Sequence, residues 1–319
     1  MARPPRAPAI ALREGVAPSA VALPNMRQPP WSTLLDFLDH RMPAVGRAVW
    51  LQRMADGEVL DDTGQPLPPH TPYRGGLRAW YWRHLPQEQP VPFVETVLYQ
   101  DAHLVVADKP HFLPVTPGGR YVRESLLVRL RQRLNLPGLS PLHRIDRETA
   151  GLVAFSVRAQ DRDAYQRLFR ERKVDKVYEA LAPAAPQHTW PLHRRSHIRE
   201  DPQAFYRMVE APEAEALPDN SETTIAPVEQ RGAWARYRLW PRTGQRHQLR
   251  VHLNALGLPI AGDQFYPRAR RGPDEAEDFA LPLQLLAHTL AFTDPVTGQQ
   301  RHFESGRSLD WDVALRDGG

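Results

Sequence analysis

The chain contains no cysteine. Disulfides, thiolate nucleophiles and cysteine-ligated zinc or iron–sulfur sites are therefore excluded, although no compartment follows from that alone. Lysine is nearly absent as well: of 41 Lys and Arg residues, only Lys109, Lys173 and Lys176 are lysines. No run approaches the roughly 18 apolar residues needed to span a bilayer. Pro, Arg and Glu14 interrupt the first thirty residues, where a secretory apolar segment would lie, so a cytoplasmic protein is expected. There is no Walker-type loop, no Gly-rich dinucleotide fingerprint and no nucleophile elbow, which sets aside three familiar readings.

What is present is ordinary for a soluble globular chain. Its 319 residues are 41% hydrophobic and 24% charged, enough for one large domain and a smaller one. The other 38 basic residues are arginines, and the formal net charge is +4. The planar guanidinium fork suits phosphate and favours a nucleic-acid partner. Codon bias in a GC-rich genome also raises Arg over Lys, so clustering is the stronger sign.

Residues 1–28 are rich in Pro, Ala and Arg without periodicity and read as a flexible arm. Residues 29–84 read as a small α+β module. "WSTLLDFLDHRM" has a Ser32 or Thr33 cap and Leu34, Leu35 and Leu38 on one helical face. "GEVLDDTGQPL" reads as a strand, a turn at Asp62-Thr63-Gly64 and a return. The Pro-rich residues 85–92 form a linker, and 93–319 a second domain. There, "TVLYQDAHLVVADKP" suggests two strands joined by a tight turn. "ESLLVRLRQRLN" suggests a helix with Leu126, Leu127 and Leu130 inward and Arg129, Arg131 and Arg133 outward. "LVAFSV" reads as a buried strand, and "DRDAYQRLFRERK" as a helix packing through Tyr165, Leu168 and Phe169. "KVYEALAP" and "ARYRLWP" read as strands. "TGQRHQLRVHLNALG" reads as a turn and a helix, with Leu249, Leu253 and Leu256 on one face and Gly257 as its cap. Elements mix without a βαβ repeat. The expected fold class is thus α+β, a mixed, mostly antiparallel sheet with flanking helices.

One stretch stands out chemically. "HRIDRETAG", residues 143–151, places the lone Asp146 between Arg144 and Arg147. Far along the chain a helix start carries Arg242, Arg246 and Arg250. Basic residues in a first helical turn oppose the macrodipole, so stability alone does not recommend them. They concentrate positive potential where anions bind, which offers a phosphate backbone one site and Asp146 a partner. His193 and His197 have metal-ligand spacing for a helix, but Arg194 and Arg195 lie between them. His247 and His252, five apart, would not share a helical face. No metal is expected.

These residues carry a resemblance. "HRIDRETAGLVAFS" is similar to the catalytic motif of the RluA-type pseudouridine synthases, which runs His-Arg-Leu-Asp, two variable residues, then Thr-Ser-Gly before an apolar strand. "VLYQDAHLVVADKPHFLPVTPGG" resembles the family's opening strand pair, "KVYEALA" its tyrosine-bearing strand, "TGQRHQLRVHLNALGLPIAGDQFY" its last motif and "LLAHTLAFTDPVTG" its closing strand region. The matches span residues 93 to 305 in the family's order. The module at 29–84 is distantly similar to the α-L RNA-binding domain that often precedes this catalytic domain.

The resemblance implies an RNA pseudouridine synthase acting on ribosomal or transfer RNA. Substrate and product are isomers, so no redox or energy-carrying cofactor is needed. It implies Asp146 as the catalytic carboxylate, Tyr178 as the active-site tyrosine and Arg250 as the basic partner of Asp146. Arg144, Arg147, Leu249, Arg246, His247 and Gln248 would contact the substrate: Leu249 the target base, Arg144 and Arg147 the splayed strand. Thr149-Ala150-Gly151 would form the turn feeding the buried strand. The sequence departs from the family at Ile145 and Ala150, and at Gly244-Gln245-Arg246-His247, where the family reads Gly-Arg-Thr/Ser-His. Shifting that arginine by one position turns it about 100° on a helix, towards a different phosphate. Two rivals are a catalytically silent RNA-binding protein of the same fold and a glycosidase-type hydrolase, which would need Glu148 as a second carboxylate.

Overall fold

The computed structural model describes residues 10–83, 88–270, 272, 275 and 277–317. Residues 1–9 of the expected arm and 85–87 of the expected linker lie outside the described residues. Two compact units are formed, one from residues up to 88 with 117–123 and 131–137, the other from 89–116, 124–130 and 138–319.

The smaller unit holds β1 (Ser19–Ala22), α1 (Leu34–Arg41), α2 (Arg47–Ala55), β2 (Val59–Leu60) and β3 (Arg78–Tyr81), with sheet order β1-β3-β2. Thr33 caps α1 in a capping box: its hydroxyl accepts from the Asp36 N–H at 3.2 Å, and Asp36 accepts from the Thr33 N–H at 3.1 Å. Leu34, Phe37, Leu38, Trp50 and Met54 are buried in one core. Two features depart from the sequence reading. Residues 19–22, expected within a mobile arm, pair antiparallel with β3 through Val21 and its neighbours. The helix α2 was not expected, because its N-cap, Gly46, offers no side-chain capping signal.

The larger unit follows the α+β reading. Its strands are β4 (Thr96–Gln100), β5 (Leu104–Lys109), β6 (Ser140–Pro141), β7 (Ala150–Ser156), β8 (Asp175–Pro183), β9 (Leu192–Ser196), β10 (Ile198–Asp201), β11 (Ala204–Glu210), β12 (Ser221–Arg231), β13 (Trp234–Pro241), β14 (Leu285–Thr293) and β15 (Gln300–Glu304). The helices are α3 (Leu126–Leu134), of which residues 126–130 belong to this unit, α4 (Arg162–Arg170), α5 (Gln248–Ala255) and α6 (Trp311–Asp317). The main sheet runs β4-β5-β7-β14-β8-β13-β12-β9, with β15 on β14 and β6 on β7, while β10 and β11 form a separate hairpin. Every pair is antiparallel except β7 with β14.

Burial explains the continuous apolar run of β7, whose seven residues are all buried. Leu152, Ala154 and Phe292 pack with Tyr165 of α4, while Ala180, Tyr237 and Leu239 pack with Leu249 and Leu253 of α5. Each fully buried Leu or Phe contributes about 1.5–3 kcal/mol. Gly151 lies within β7 at φ +112°, and a Cβ there would sit 2.3 Å from the Ala287 carbonyl oxygen. The glycine thus permits close strand approach as well as an unusual backbone, which is more than the turn role expected of it. Gly257 ends α5 as expected, in a Schellman motif: at φ +74° its N–H reaches Asn254 O, and the Leu258 N–H reaches Leu253 O at 2.9 Å.

Two expectations for arginines fail. Arg129, expected to face outward on α3, donates to the carbonyls of Val91 and Phe93 at 2.7 Å each and pairs with Glu95 and Glu124. The helix α5 starts only at Gln248, so Arg242 and Arg246 precede it, and Arg246 has no helical position to be turned about.

Candidate active site

Asp146 sits in the loop between β6 and β7, which is closed by the Thr149 N–H donating to Asp146 O at 3.2 Å. The loop is anchored from below. Lys109, at the end of β5 and fully buried, donates through Nζ to Arg147 O and Pro110 O, both at 2.9 Å. Burial draws the pKa of this ammonium down to about 7, against the pull of Glu148 and Asp146. Nδ1 of His111 lies 2.8 Å from Glu148 O. His143 accepts from the Ala154 N–H at 3.1 Å and stacks on Phe169 at 4.7 Å. Burial keeps His143 neutral, with a pKa of about 3.

Arg250 projects from α5 and is 1% exposed. Its Nη1 lies 3.5 Å from Asp146 Oδ2 and 3.5 Å from Glu148 Oε2, and makes no hydrogen bond. Its other nitrogens bind Asp263, Nε to Oδ2 at 2.8 Å and Nη2 to Oδ1 at 2.6 Å. Burial opposes its charge, and Asp263, together with the more distant Glu148 and Asp146, keeps it protonated. Tyr178, on β8, packs against the core cluster that contains Leu249. Burial first, and the charge of Asp146 second, push its phenol well above the ordinary value. Asp146, with 23% of its side chain exposed, therefore stands beside a fixed cation, and its charge is felt by the neutral phenol of Tyr178.

The other expected substrate contacts divide. Arg144 is exposed and has no hydrogen-bond or ion-pair partner among the described residues. Arg147, expected as a free basic rim, is instead engaged by Glu148 (2.7 Å) and Glu277 (3.0 Å). Arg246 donates to the carbonyls of Phe205 (3.2 Å) and Tyr206 (2.8 Å) on β11. Gln248 is buried with its amide fully used: it accepts from Thr243 and the Gln245 N–H, and donates to Glu222 O and Thr223. It is a clamp on the loop before α5. Leu249 is 7% exposed. His247 lies 3.1 Å from the Tyr266 hydroxyl, stacks on Phe265, and is held at a pKa of about 4 by burial, against the charge of Asp146.

Two carboxylates at the centre lacked these roles in the sequence reading. Asp263 lies in "GDQFY", within the last motif, but nothing local marks it as the clamp of Arg250. Glu148 is 4% exposed. Burial raises its pKa, yet Arg147 and Arg250 outweigh that and hold it far below the ordinary carboxylate range. His193 lies on β9 rather than a helix, with its ring 3.0 Å from Thr224 Oγ1, and His197 contacts Pro218 O. No group of three or more His, Asp or Glu side chains is gathered as a metal site among the described residues.

A sequence profile described as RNA pseudouridylate synthase matches residues 103–255. An uncharacterised RNA pseudouridine synthase of Synechocystis is 32% identical over 234 residues, covering 73% of this chain and 79% of its own. A dual-specificity RNA pseudouridine synthase RluA of Haemophilus influenzae is 32% identical over 226 residues, or 67% and 93%. The solved structure of human RNA pseudouridylate synthase domain containing 4 superposes with a TM-score of 0.53 at 25% identity, covering 69% of this chain and 92% of that one.

Proposed function

This chain belongs to the RNA pseudouridylate synthase family, and we propose that it isomerises specific uridines of ribosomal or transfer RNA through the carboxylate of Asp146, without a cofactor. The observation that carries this reading is the position of Asp146, partly open to solvent and 3.5 Å from a buried guanidinium.

In the reaction the bond from uracil N1 to ribose C1′ breaks and one from C5 to C1′ forms, while C5 loses its proton and N1 gains one. Asp146 serves as nucleophile at ribose or as the acid–base group beside it. Arg250 faces its carboxylate with a positive charge and favours the ionised form. Tyr178, neutral throughout the physiological range, lines the base pocket with Leu249. Arg144, unpaired among the described residues, meets the phosphates of the splayed strand, and His247 borders the carboxylate from the α5 side. Arg147, Arg246 and Gln248 act indirectly, through the loops they hold. The small unit is a further RNA-binding part on the likeness of its sequence, and an RNA substrate of this kind puts the enzyme in the cytoplasm.

The two rivals fare worse. A silent RNA-binding protein has no use for a charged arginine buried behind a carboxylate, an arrangement that costs several kcal/mol of desolvation. A hydrolase needs a second carboxylic acid holding a proton, and Glu148 is kept ionised by two arginines. Mapping pseudouridine in cellular ribosomal and transfer RNA with and without the gene tests activity and target together. Loss of one or a few defined sites is expected. Identical maps would contradict the reading.

A further inference from the structure

We propose that the cleft between the end of α4 and the loop after β13 is a phosphodiester site, in which Arg172 and Lys176 hold the RNA backbone beside the target uridine. The proposal rests on the RNA reading above. The cleft encloses about 200 Å³ and is lined by Arg172, Arg195, Asn220, Ser221, Glu222 and Thr243, with Asp219 also on its wall.

Arg172 and Arg195 balance Asp219 and Glu222 on the lining, and Lys176 and Arg242 at its edge leave an excess of positive charge. Glu222 is occupied by Arg195 at 3.2 Å and Arg242 at 4.0 Å, and Asp219 is exposed. Lys176 has one hydrogen bond, long at 3.3 Å, to the Thr243 carbonyl. An ammonium carries three donors, so two remain. Arg172 has no side-chain hydrogen bond or ion pair among the described residues. Burial lowers the pKa of Lys176, and the nearby charge of Arg172 lowers it further. Arg172 and Thr243 line the same cleft, and Lys176 reaches the Thr243 carbonyl, so two cations border one cavity and repel each other, an arrangement that an anion relieves.

Arg172 also occupies a position that stability would give to glycine. It follows the end of α4 at φ +57°, with the Lys173 N–H reaching Leu168 O at 2.8 Å and its own N–H reaching Phe169 O, the Schellman pattern. A side chain there is unfavourable for the backbone, so its guanidinium is the feature to be explained.

Position identifies the anion. Lys176 and Tyr178 are two residues apart on β8 and share a face, about 6.8 Å along the strand. The phenol of Tyr178 feels Asp146, and His143 of the Asp146 loop feels Lys176. The cleft therefore continues the active site along one strand, where the chain of a bound polynucleotide would run.

The test is equilibrium binding of a twelve-residue oligouridylate to the full-length protein over a range of KCl. Arg172→Gly should weaken binding about threefold to tenfold near 0.1 M salt and make the slope of log K against log salt shallower by about 0.7, the loss of one single-strand phosphate contact. Its thermal midpoint should stay level or rise, because glycine suits the backbone. Lys176→Gln should act in the same direction, and Arg316→Gln, an equal charge change on α6, should leave both quantities unmoved. Wild-type affinity and slope in Arg172→Gly, or an equal effect of Arg316→Gln, overturns the proposal. If inorganic phosphate at constant ionic strength protects the wild type thermally but Arg172→Gly leaves oligouridylate binding intact, the cleft holds free phosphate and the RNA assignment fails. Tritium release from uracil C5 by the wild type is scored separately. No turnover together with an Arg172 effect would sink the isomerase reading and leave the binding site standing.

Discussion

Arg250 is clamped by Asp263 through two parallel hydrogen bonds, of 2.8 and 2.6 Å, between fully buried side chains. Asp263 Oδ1 also accepts from the N–H groups of Phe265 and Tyr266, at 2.8 and 3.2 Å. The clamp fixes the guanidinium plane so that Nη1 points at Asp146. Removing one partner of such a pair strands a buried charge, at a cost of about 3–5 kcal/mol. Asp263→Asn should lower the free energy of unfolding in urea by that amount. A loss below about 1 kcal/mol would mean that Arg250 finds equivalent support elsewhere.

Arg144 and Gln248 were equal candidates for substrate contact in the sequence, and the fold separates them. Arg144→Gln should weaken RNA binding severalfold at unchanged stability, since the side chain is exposed and unpaired among the described residues. Gln248→Leu should destabilise the protein by about 1–3 kcal/mol, since it removes four hydrogen bonds and leaves the buried Thr223 hydroxyl and the half-buried Thr243 and Glu222 groups without this partner. Paired urea titrations and RNA-binding isotherms check both. The opposite distribution of effects would show that Gln248 faces RNA.

The contrast marks where sequence legibility ends. Periodicity located α3, α4, α5, β7 and β8 because each buries one face or all of its residues, and that pattern is written locally. Asp146 was legible because its motif is contiguous. Asp263 was not legible as the clamp of Arg250, because 13 residues separate the two and only the fold after α5 brings carboxylate to guanidinium. Arg147 read as a free cation for a similar reason: one of its partners, Glu277, comes from a distant loop. The strand at residues 19–22 is four residues long in Pro-rich surroundings, and its signal is the edge of β3 rather than its own composition.

Burial of His252 predicts an acid-sensitive fold. The ring is fully buried, 2.9–3.1 Å from the hydroxyls of Ser196, Ser221 and Thr223. Burial lowers its pKa from 6.5 to about 4, against the pull of Glu210. Between those values the unfolded chain binds the proton and the folded one does not, so stability is full above pH 6.5 and falls as the pH drops towards 4. This histidine should account for about 3 kcal/mol of that loss. In His252→Gln the unfolding free energy, followed by urea titration from pH 7.5 to 4, should fall less steeply. A slope equal to that of the wild type would show that the ring charges freely in the folded state.

The most direct test of the account is single-turnover tritium release from RNA labelled at uracil C5, comparing wild type with Asp146→Asn, which keeps the shape of the side chain and removes its charge. The RNA is taken from cells lacking the protein, so that the target uridines are unmodified. The wild type should release tritium. Asp146→Asn should release none above background while binding the same RNA within about tenfold of the wild type, 1.4 kcal/mol. Release by Asp146→Asn at a rate near that of the wild type would contradict the assignment of Asp146 as the carboxylate that carries the isomerisation.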